Sequence, residues 1–483
     1  MKKFFLIMLA SAATLGSAAF NVSTVPGGIA DAIDGHLDET SLEVNGYLNA
    51  ADLEYIATNM KNLETLDLSN LSGIVAYEGE PLATGRTNAA ASEIPEYAFF
   101  GSSVKTVLLP TTVTAIRECA FAGSGITSIE IPASCTEIDS RAFLDCASLQ
   151  SVSFCADALL GTETFAGCSS LSTVTGCEKL TNIGCGAFKG CSSLQSFNFS
   201  EALNAIGSEA FAKSGLKAVN LANVENLTSL PQSVFAECDA LTSIALPDGV
   251  AAIENSALFG DAAVTTFNFP SELSIIGDYA LYGLENLTFP VMTDINAVVG
   301  GNTQITSIGK YAMANMKAMK QFSFPASTDF IGDYAMANWT SVIDYLVRNI
   351  TVAPELGENV WSGVNQPNVY LYVTQQNDTE FSSKEQWKEF NFTYSTTSNE
   401  GIYNDQIAKA DIAAWIDGTI INILANGDIR SVNVYDTTGR LLTSVADCGE
   451  NAQIDTDMWQ CRLFIVRVTL ADGTSSAVKL ARR

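Results

Sequence analysis

Residues 183–200 read IGCGAFKGCSSLQSFNFS, and this order of apolar and small residues returns along most of the chain. Each copy begins with isoleucine or leucine, usually has alanine at its fifth position and carries a large apolar residue at its sixth. The steps between copies are mostly 22 to 24 residues. A period this short predicts stacked repeats, because one copy cannot bury its apolar face alone. The repeats begin at Ile94, Ile116, Ile138, Leu160, Ile183, Ile206, Leu230, Ile253, Ile276, Ile308, Ile331 and Leu356.

The second half of each repeat has the pattern of a β-strand. LQSVSF at 149–154 and LTSIALP at 241–247 alternate apolar and small polar residues, and proline closes several of these stretches. The alanine and aromatic block has the shorter spacing of a turn. We therefore expect a solenoid with a parallel β-sheet on one face and short helical turns and loops on the other.

The regions outside the repeats differ in composition and divide the chain. LETLDLSNL at 63–71 is a plainer leucine-rich strand, while the tail has short strand-like stretches separated by turns such as Asn426-Gly427. The tail therefore predicts a small β-sandwich. The expected segments are an acidic N-terminal segment at 20–40, an N-terminal cap and loop at 41–93, repeats at 94–392, a linker at 393–401 and the sandwich at 402–483.

The N-terminus and the net charge restrict where the protein acts. MKKFFLIMLASAATLGSAAF has a basic start, an apolar core and a small-residue exit, which is the pattern of a signal peptide at 1–19. Its apolar run is shorter than a bilayer span requires. The net charge of −28 disfavours nucleic acid and anionic membranes as partners. We expect a secreted protein or one displayed on the outer cell surface, without a membrane span.

The repeat resembles the BspA-like subgroup of leucine-rich repeats, over residues 41–392. That resemblance implies a right-handed solenoid, export by a bacterium, and adhesion to host proteins or to other cells. It makes a protein or glycan ligand the expected partner, with host extracellular matrix among the candidates.

The tail is similar to the type A sorting domain of the type IX secretion system in Bacteroidetes. The matching stretches are VYD at 434–436, GR at 439–440, FIVRV at 464–468 and KL at 479–480, while Cys461-Arg462 stand where that family has a glycine. The similarity implies that export machinery recognises the tail at the outer membrane, where it is removed or used as an address.

Cysteines recur at one repeat position, eight residues after the first. A column of thiols there could bind metal, form disulfides or simply fill the core, and buried packing is the favoured interpretation because free cysteine is among the most buried residue types. The residues in this column are Cys146, Cys168, Cys191 and Cys238. In the tail, Cys448 and Cys461 form a candidate disulfide.

Catalytic signals are few. His36 is the only histidine and lies outside the repeats, so a serine or cysteine nucleophile paired with histidine would have to use it. One histidine also excludes zinc sites that need two, and the chain has neither a phosphate-binding GxxxxGK[ST] loop nor an HExxH motif. The sequence therefore predicts no enzyme, no cofactor and no catalytic or metal site.

The outward positions of the predicted sheet form the candidate binding surface. They are small, polar and mostly uncharged in a protein of net charge −28, which places the acidic residues elsewhere. Such columns either provide a platform for a protein or glycan, or merely pair across strands and keep the sheet soluble. The partner-facing candidates are Thr106, Ser128, Ser151, Thr173, Ser196, Asn198, Asn220, Ser243, Thr266 and Asn268.

Two irregular regions offer a second choice of binding surface. Residues 291–307 are inserted between repeats, and insertions on a solenoid often carry binding. Aromatic residues also gather in the last repeats, where they either close the core or face a partner: Trp339, Tyr345, Trp361, Tyr370, Tyr372 and Trp387. Taken together, the sequence favours an adhesin-like interaction protein over a structural surface-layer component, and either of these over a hydrolase on a repeat scaffold.

Overall fold

A computed structural model describes residues 19–82, 84–289, 303–347, 350–374, 376–394, 412–417, 419–436, 440–459, 463–471 and 475–481. Except for Ala19, the expected signal peptide lies outside these ranges, as do most of the linker and residues 291–302 of the insertion. The chain divides into two compact units. Met1–Leu287 with Gly309–Asn315 form the N-terminal unit, and Thr288–Ile308 with Met316–Arg483 form the C-terminal unit.

The N-terminal unit opens with a cap that includes residues 20–40. Strand Phe20–Thr24 pairs in parallel with strand Ser41–Leu48, so the acidic segment belongs to the folded cap and not to a separate region. Strand Leu71–Ile74 pairs with the far end of the second strand. The cap also contains helices Ile29–Ala32 and Ala50–Asn59.

Asp52 ties the two helices of the cap together. Its carboxylate accepts a hydrogen bond from the amide of Asn49 (2.9 Å), whose side chain in turn caps the second helix. The same buried carboxylate accepts bonds from the amides of Gly27 (2.8 Å) and Ile29 (3.2 Å) at the start of the first helix. Buried polar groups need such partners, and here one side chain serves both helices.

Parallel strands from successive repeats form what we call the long-strand ladder. The N-terminal unit contributes Thr65–Asp67, Thr106–Leu108, Ser128–Ile131, Ser151–Phe154, Thr173–Thr175, Ala218–Asn220, Ser243–Ala245 and Thr266–Phe267. The C-terminal unit contributes Gln321–Ser323, Asp344–Leu346, Tyr370–Val373 and Asn391–Tyr394. Paired strands run parallel in both units, which confirms the predicted parallel sheet. In strand Ser128–Ile131 alternate residues are buried, as Ile129 and Ile131 are.

A second ladder begins at the first residue of each repeat, and we call it the short-strand ladder. In the N-terminal unit it comprises Glu93–Ile94, Ala115–Ile116, Glu137–Ile138, Ala158–Leu160, Leu180–Ile183, Ala205–Ile206, Ser229–Leu230, Ala252–Ile253 and Ile275–Ile276. In the C-terminal unit it comprises Ser307–Ile308, Phe330–Ile331 and Glu355–Leu356. Hydrogen-bonded turns follow these strands, where the sequence predicted short helical turns.

Left-handed residues explain why these turns are not helical. In the repeat that starts at Ile138, Arg141 and Asp145 have φ of 61° and 54°, and such residues interrupt the run of right-handed conformations that a helix needs. The amides of Arg141, Phe143 and Asp145 donate to carbonyls of the next repeat, each at 2.8 Å. The amides between them close the turn within their own repeat. Each turn is therefore hydrogen-bonded both within its own repeat and to the turn of the next repeat.

The same two left-handed positions, the fourth and the eighth, occur in all twelve repeats. The fourth positions are Tyr97, Cys119, Arg141, Glu163, Gly186, Glu209, Ser233, Ser256, Tyr279, Tyr311, Tyr334 and Asn359. The eighth positions are Gly101, Gly123, Asp145, Gly167, Gly190, Lys213, Glu237, Gly260, Gly283, Asn315, Asn338 and Gly363.

Aromatic rings stack through the core of the N-terminal unit. The sixth residue of successive repeats is phenylalanine from Phe99 to Phe235, and consecutive ring centroids lie 5.0 to 5.7 Å apart. All seven rings are buried. Ring pairs in such geometry contribute about 0.5–1.5 kcal/mol beyond the burial of their area. This column is the internal one that the repeat frame predicted.

The C-terminal unit closes its repeats with an aromatic core. Trp339, Tyr345, Trp361 and Trp387 are all buried, and the rings of Trp361 and Trp387 meet at 4.6 Å between centroids. Tyr372 is buried as well, whereas Tyr370 is half-buried, so packing in the core accounts for five of the six predicted aromatic residues. Helix Asp378–Ser382 and the 3-10 turns Gln366–Asn368 and Trp387–Glu389 belong to this cap, and a further 3-10 turn in the N-terminal unit spans Cys177–Lys179.

The tail forms an antiparallel sheet around its own core, in agreement with the predicted small β-sandwich. Its strands are Ile412–Asp417, Ile420–Tyr435, Leu441–Asp455, Leu463–Leu470 and Ser475–Ala481. The register of the longest strand shifts between Leu424 and Ile429. Its first half pairs with Ile412–Asp417 and its second half with Leu463–Leu470, while Leu441–Asp455 pairs with both halves. Buried residues from both halves, such as Ile423 and Val432, line one core. None of the helices in the described ranges is both long and apolar enough to cross a membrane.

Candidate binding surface

The structure brings four of the predicted partner-facing residues into one row. Ser128 pairs with Thr106 on one side and with Ser151 on the other, and Ser151 pairs with Thr173. The inward neighbours of these residues, such as Val152, pack into the core and fix the direction of each strand. Thr173 is exposed and the other three are half-buried, so the row lies at the surface of the N-terminal unit.

The row resumes at Ala218, which pairs with Ser243, and Ser243 pairs with Thr266. Ser196 and Asn198 lie between the two parts of the row, in a stretch without regular strand pairing, and both are exposed. The predicted residues therefore share one surface of the N-terminal unit, although the strand ladder beneath them is interrupted.

The side chains of the two remaining candidates, Asn220 and Asn268, form hydrogen bonds with the backbone. The side-chain amide of Asn268 accepts a hydrogen bond from the amide of Leu246 (2.7 Å) and donates one to its carbonyl (2.8 Å). Asn268 thus extends the ladder past the end of its strand. Asn220 is exposed, but its Oδ1 accepts a hydrogen bond from the amide of Ala222 at 3.2 Å.

In the first two strands of the C-terminal unit the corresponding outward positions are buried, whereas Tyr370 is half-buried and Asn391 is exposed in the next two. Gln321, Ser323 and Asp344 are each less than a tenth exposed, and Gln321 donates a 3.1 Å hydrogen bond to Asp344. The row of exposed small polar residues therefore has no counterpart in strands Gln321–Ser323 and Asp344–Leu346.

Many of the charged residues of the N-terminal unit lie on its short-strand ladder and turns. Arg117 contacts Glu93, Glu137 (2.9 Å) and Asp139 (3.4 Å), all from neighbouring short strands or the residues just after them. The hydrogen bond to Glu93 is the main cause that raises the pKa of Arg117, so this guanidinium stays charged. Further ion pairs join successive turns, as between Arg141 and Glu163 at 2.7 Å. The outward row of small polar residues therefore carries little of this charge.

The repeat cysteines are packing residues. Cys146, Cys168, Cys191 and Cys238 are buried, and each thiol donates to a phenylalanine carbonyl of an earlier repeat at 3.0 to 3.3 Å. Burial raises the pKa of the Cys191 and Cys238 thiols to about 12, which keeps them protonated and unreactive. Serine takes the same place at Ser124 and Ser214, and their hydroxyls lie 3.5 and 3.4 Å from the thiols of Cys146 and Cys238 in the next repeat.

The remaining predicted site residues lie apart from this surface. His36 stacks on the ring of Phe20 at 3.9 Å, and its Nδ1 is 3.4 Å from Glu39, so it belongs to the N-terminal cap. Cys448 is half-buried in the tail, whereas its predicted partner Cys461 lies outside the described residues, and that disulfide stays a prediction. In the described ranges, no group of three or more His, Cys, Asp or Glu side chains is arranged to hold a metal ion.

A cavity that the sequence did not predict lies beneath the loop before the first repeat. Residues 77–93 lack periodicity, but part of that loop is a hairpin of strands Tyr77–Glu78 and Asn88–Ala89. With the short-strand ladder it borders a pocket of about 540 Å³ that is open to solvent. Its charged lining includes Arg86, paired with Glu96 at 2.6 Å. Burial raises the pKa of Glu96, although Arg86 opposes the shift.

The repeat is matched by a known family. A family model described as the BspA type leucine rich repeat region matches residues 76–160, 158–288 and 293–407, with six copies. No curated protein matches the chain. Similar solved structures include a leucine-rich repeat protein from Bacteroides ovatus, with 17% identity over 78% of this chain and 92% of that one and a TM-score of 0.48.

Two further structures resemble the chain more loosely. A leucine rich cell surface protein from Faecalibacterium prausnitzii has 19% identity over 66% of this chain and 86% of that one, with a TM-score of 0.30. The pneumococcal vaccine antigen PcpA has 16% identity over 78% and 85%, with a TM-score of 0.32. Because the family model covers well over half of the 483 residues, the chain belongs to the BspA-type leucine-rich repeat family.

Proposed function

We propose that the protein is exported, is displayed on the outer cell surface or released from it, and binds a protein or glycan through the long-strand ladder of its N-terminal unit. The observation that supports this most directly is the row of Thr106, Ser128, Ser151 and Thr173 in strand register. Its side chains are short and uncharged, so a partner can approach the sheet closely without displacing ion pairs.

A binding role is favoured over a catalytic one by the placement of the chemically active side chains. The only histidine of the sequence stacks on Phe20 in the cap, and burial raises the pKa of the Cys191 and Cys238 thiols to about 12, so these two stay protonated. Neither is available for the nucleophile and base pairing that hydrolysis by serine or cysteine requires.

The binding test uses the purified full chain against an array of host extracellular matrix proteins and glycans. For a ligand found there, Thr173→Arg and Ser196→Arg should each weaken binding about tenfold or more, because a long charged side chain blocks a flat surface. Ala205→Arg is the matched control, since it places the same side chain at an exposed position of the short-strand ladder. An affinity that the control reduces as much as the other two variants would contradict the proposal.

A structural surface-layer role is the alternative, and the same preparation tests it. Absence of any ligand on the array, together with ordered sheets or filaments of the purified protein in electron micrographs, would favour self-assembly over adhesion.

The tail is proposed to act as the sorting signal that its sequence resembles. Support comes from the antiparallel fold of the tail, whose strand Leu463–Leu470 contains the FIVRV stretch of that resemblance. Fractionation of native cells, with mass spectrometry of the mature C-terminus, tests this. Surface-exposed protein that lacks the tail is the expected result, whereas a full-length periplasmic protein would refute the assignment.

A further inference from the structure

Four aromatic rings form a continuous patch on the turns of the N-terminal unit, which we call the aromatic edge: Phe259, Tyr279, Tyr282 and Tyr311. Phe259 stacks on Tyr282 at 5.1 Å between centroids, and Tyr279 stacks on Tyr311 at 5.1 Å. Tyr279 also contacts Tyr282 at 5.7 Å, which joins the two pairs. All four side chains are half-buried, so part of each ring stays at the surface.

The repeat itself does not require aromatic rings at these places. They occupy the fourth and seventh positions, where earlier repeats carry ion-paired residues such as Arg141 with Glu163. The fourth position is left-handed, with φ of 57° at Tyr279 and 53° at Tyr311. That conformation is costly for a bulky side chain and suits glycine or asparagine, which other repeats place there. The backbone therefore gives no reason for tyrosine.

Two acidic residues in the repeats that carry Phe259 and Tyr279 have no basic partner among the described residues. Asp278 precedes Tyr279, is exposed, and its Oδ1 accepts a 2.7 Å hydrogen bond from the amide of Lys310. Glu254 is also exposed, and its two oxygens accept bonds from the hydroxyl of Ser229 and the amide of Gln232. Among the described residues both acids bond only to neutral groups, in contrast to the ion-paired acids of the earlier turns.

A cation of the chain already lies over this surface. The Nζ of Lys310 is 5.8 Å from the centroid of the Tyr311 ring, within the range of a cation–π contact. Ring faces attract cations through their quadrupole, and neighbouring carboxylates add to the attraction. The chemistry of the patch thus fits a positively charged, planar group.

We propose that the aromatic edge is a second binding surface, separate from the row of small polar residues, and that it receives an arginine-rich segment of a partner protein. Guanidinium groups stack on aromatic faces and bind carboxylates, whereas the ammonium of lysine is more strongly hydrated and does not stack. The net charge of −28 would draw such a segment towards the protein. A neutral glycan would leave Asp278 and Glu254 without a cation.

The test measures fluorescence anisotropy of labelled twelve-residue peptides with the full chain at 0.15 M NaCl. One peptide alternates arginine with glycine, a second alternates lysine with glycine, and neutral oligosaccharides are titrated by calorimetry. The test variant is Tyr279→Ser with Tyr282→Ala, which introduces the residues that Ser256 and Ala314 place at the same positions. The control is Glu163→Ser with Lys189→Ala, which makes the same kind of change in two earlier repeats and also leaves net charge unaltered.

We expect the arginine peptide to bind the wild type several-fold more tightly than the lysine peptide does. The double tyrosine variant should weaken arginine-peptide binding about tenfold, a loss typical of an aromatic hot spot, while the control stays within about twofold of wild type. Asp278→Asn keeps the acceptor for Lys310 and should weaken binding less, with a smaller salt dependence.

Several results would overturn the proposal. They are the absence of peptide binding, equal loss in the test and control variants, or equal affinity for both peptides, which indicates diffuse charge attraction. Oligosaccharide binding that the tyrosine variant abolishes would assign the aromatic edge to a glycan instead.

Discussion

The backbone amide of Cys238 donates a 2.7 Å hydrogen bond to Oδ1 of Asp261, and this aspartate takes the column position that Cys238 holds one repeat earlier. Asp261 is completely buried, and its Oδ2 has no hydrogen-bond partner within the described residues. Burial is the main cause that raises the pKa of this carboxyl well above its usual range. An ionisable group has thus replaced a thiol or hydroxyl in an otherwise neutral column.

Asp261→Asn is expected to stabilise the protein at neutral and higher pH. A carboxyl with a raised pKa contributes its full stability below its unfolded pKa, and that stability is lost as pH rises through the folded pKa. Asparagine keeps an acceptor for Cys238 and does not ionise. Urea unfolding should show a gain on the order of 1–3 kcal/mol at pH 7.5, the size of one buried unpaired polar group.

The gain should shrink towards pH 4, where aspartate at position 261 is also neutral. Asp239→Asn is the control, because it removes one negative charge from an exposed position of the neighbouring repeat. An equal gain from both variants would show that net charge, and not burial of Asp261, limits stability.

The core of the solenoid was predictable because its signals are periodic and apolar. Phe143, Cys146 and Val152 were assigned to the interior from their spacing, and all three are buried. The short-strand ladder was not predicted, because two residues such as Glu137–Ile138 are too few to show alternation. The left-handed fourth positions have no clear signal in the sequence either. They are occupied by residues such as Arg141, and glycine, the usual sign of such a backbone, is mostly absent there.

The part of the candidate surface that depends only on strand register could be predicted from the sequence. The row from Thr106 to Thr173 follows from repeat lengths of 22 or 23 residues, which bring the same position of each repeat into register. The hydrogen bonds of Asn268 to Leu246 and the burial of Asp344 depend on contacts distant in sequence, which no local pattern records. The residues of the aromatic edge can be read from the sequence, but their contact cannot. The turn geometry places the ring centroids of Phe259 and Tyr282 5.1 Å apart.

Phe165→Ala should destabilise the N-terminal unit far more than Phe165→Leu. The ring is fully buried between Phe143 and Phe188, at 5.0 and 5.4 Å. Alanine leaves a cavity and should cost about 3–5 kcal/mol. Leucine occurs at the same position at Leu258 and Leu281, so it should cost under about 1.5 kcal/mol. Urea midpoints check this, and similar losses in both variants would mean that ring stacking itself holds the column.

Gly186→Ala should destabilise the protein by about 1 kcal/mol or more, because a Cβ is strained at positive φ. The φ of Gly186 is +61°, and an added Cβ would also lie 3.3 Å from Cγ of Glu163. Gly249→Ala is the control: its φ is not in the left-handed range and an added Cβ would meet nothing within 4 Å. That change should be neutral or stabilise by up to about 1 kcal/mol. Thermal unfolding checks this: Gly186→Ala should lower Tm, whereas Gly249→Ala should leave Tm unchanged or raise it.

Arg117→Gln should destabilise the short-strand ladder in a salt-dependent way. The guanidinium is 27% exposed and joins three carboxylates, so its loss leaves Glu93, Glu137 and Asp139 close together without a cation. We expect a loss of about 1–2 kcal/mol in 0.05 M NaCl, more than an isolated surface pair contributes. In 1 M NaCl the difference should shrink, because salt screens the repulsion among the three acids.

Lys213→Gln is the matched control for this network. Lys213 forms a single ion pair with Glu237 at 3.4 Å, and both side chains are at least half exposed. Its loss should cost less than about 0.5 kcal/mol at either salt concentration. If Arg117→Gln were destabilising to the same degree at both salt concentrations, packing of the arginine stem against the ladder would be responsible, and the charge network would contribute little. Urea unfolding of both variants at the two salt concentrations separates these outcomes.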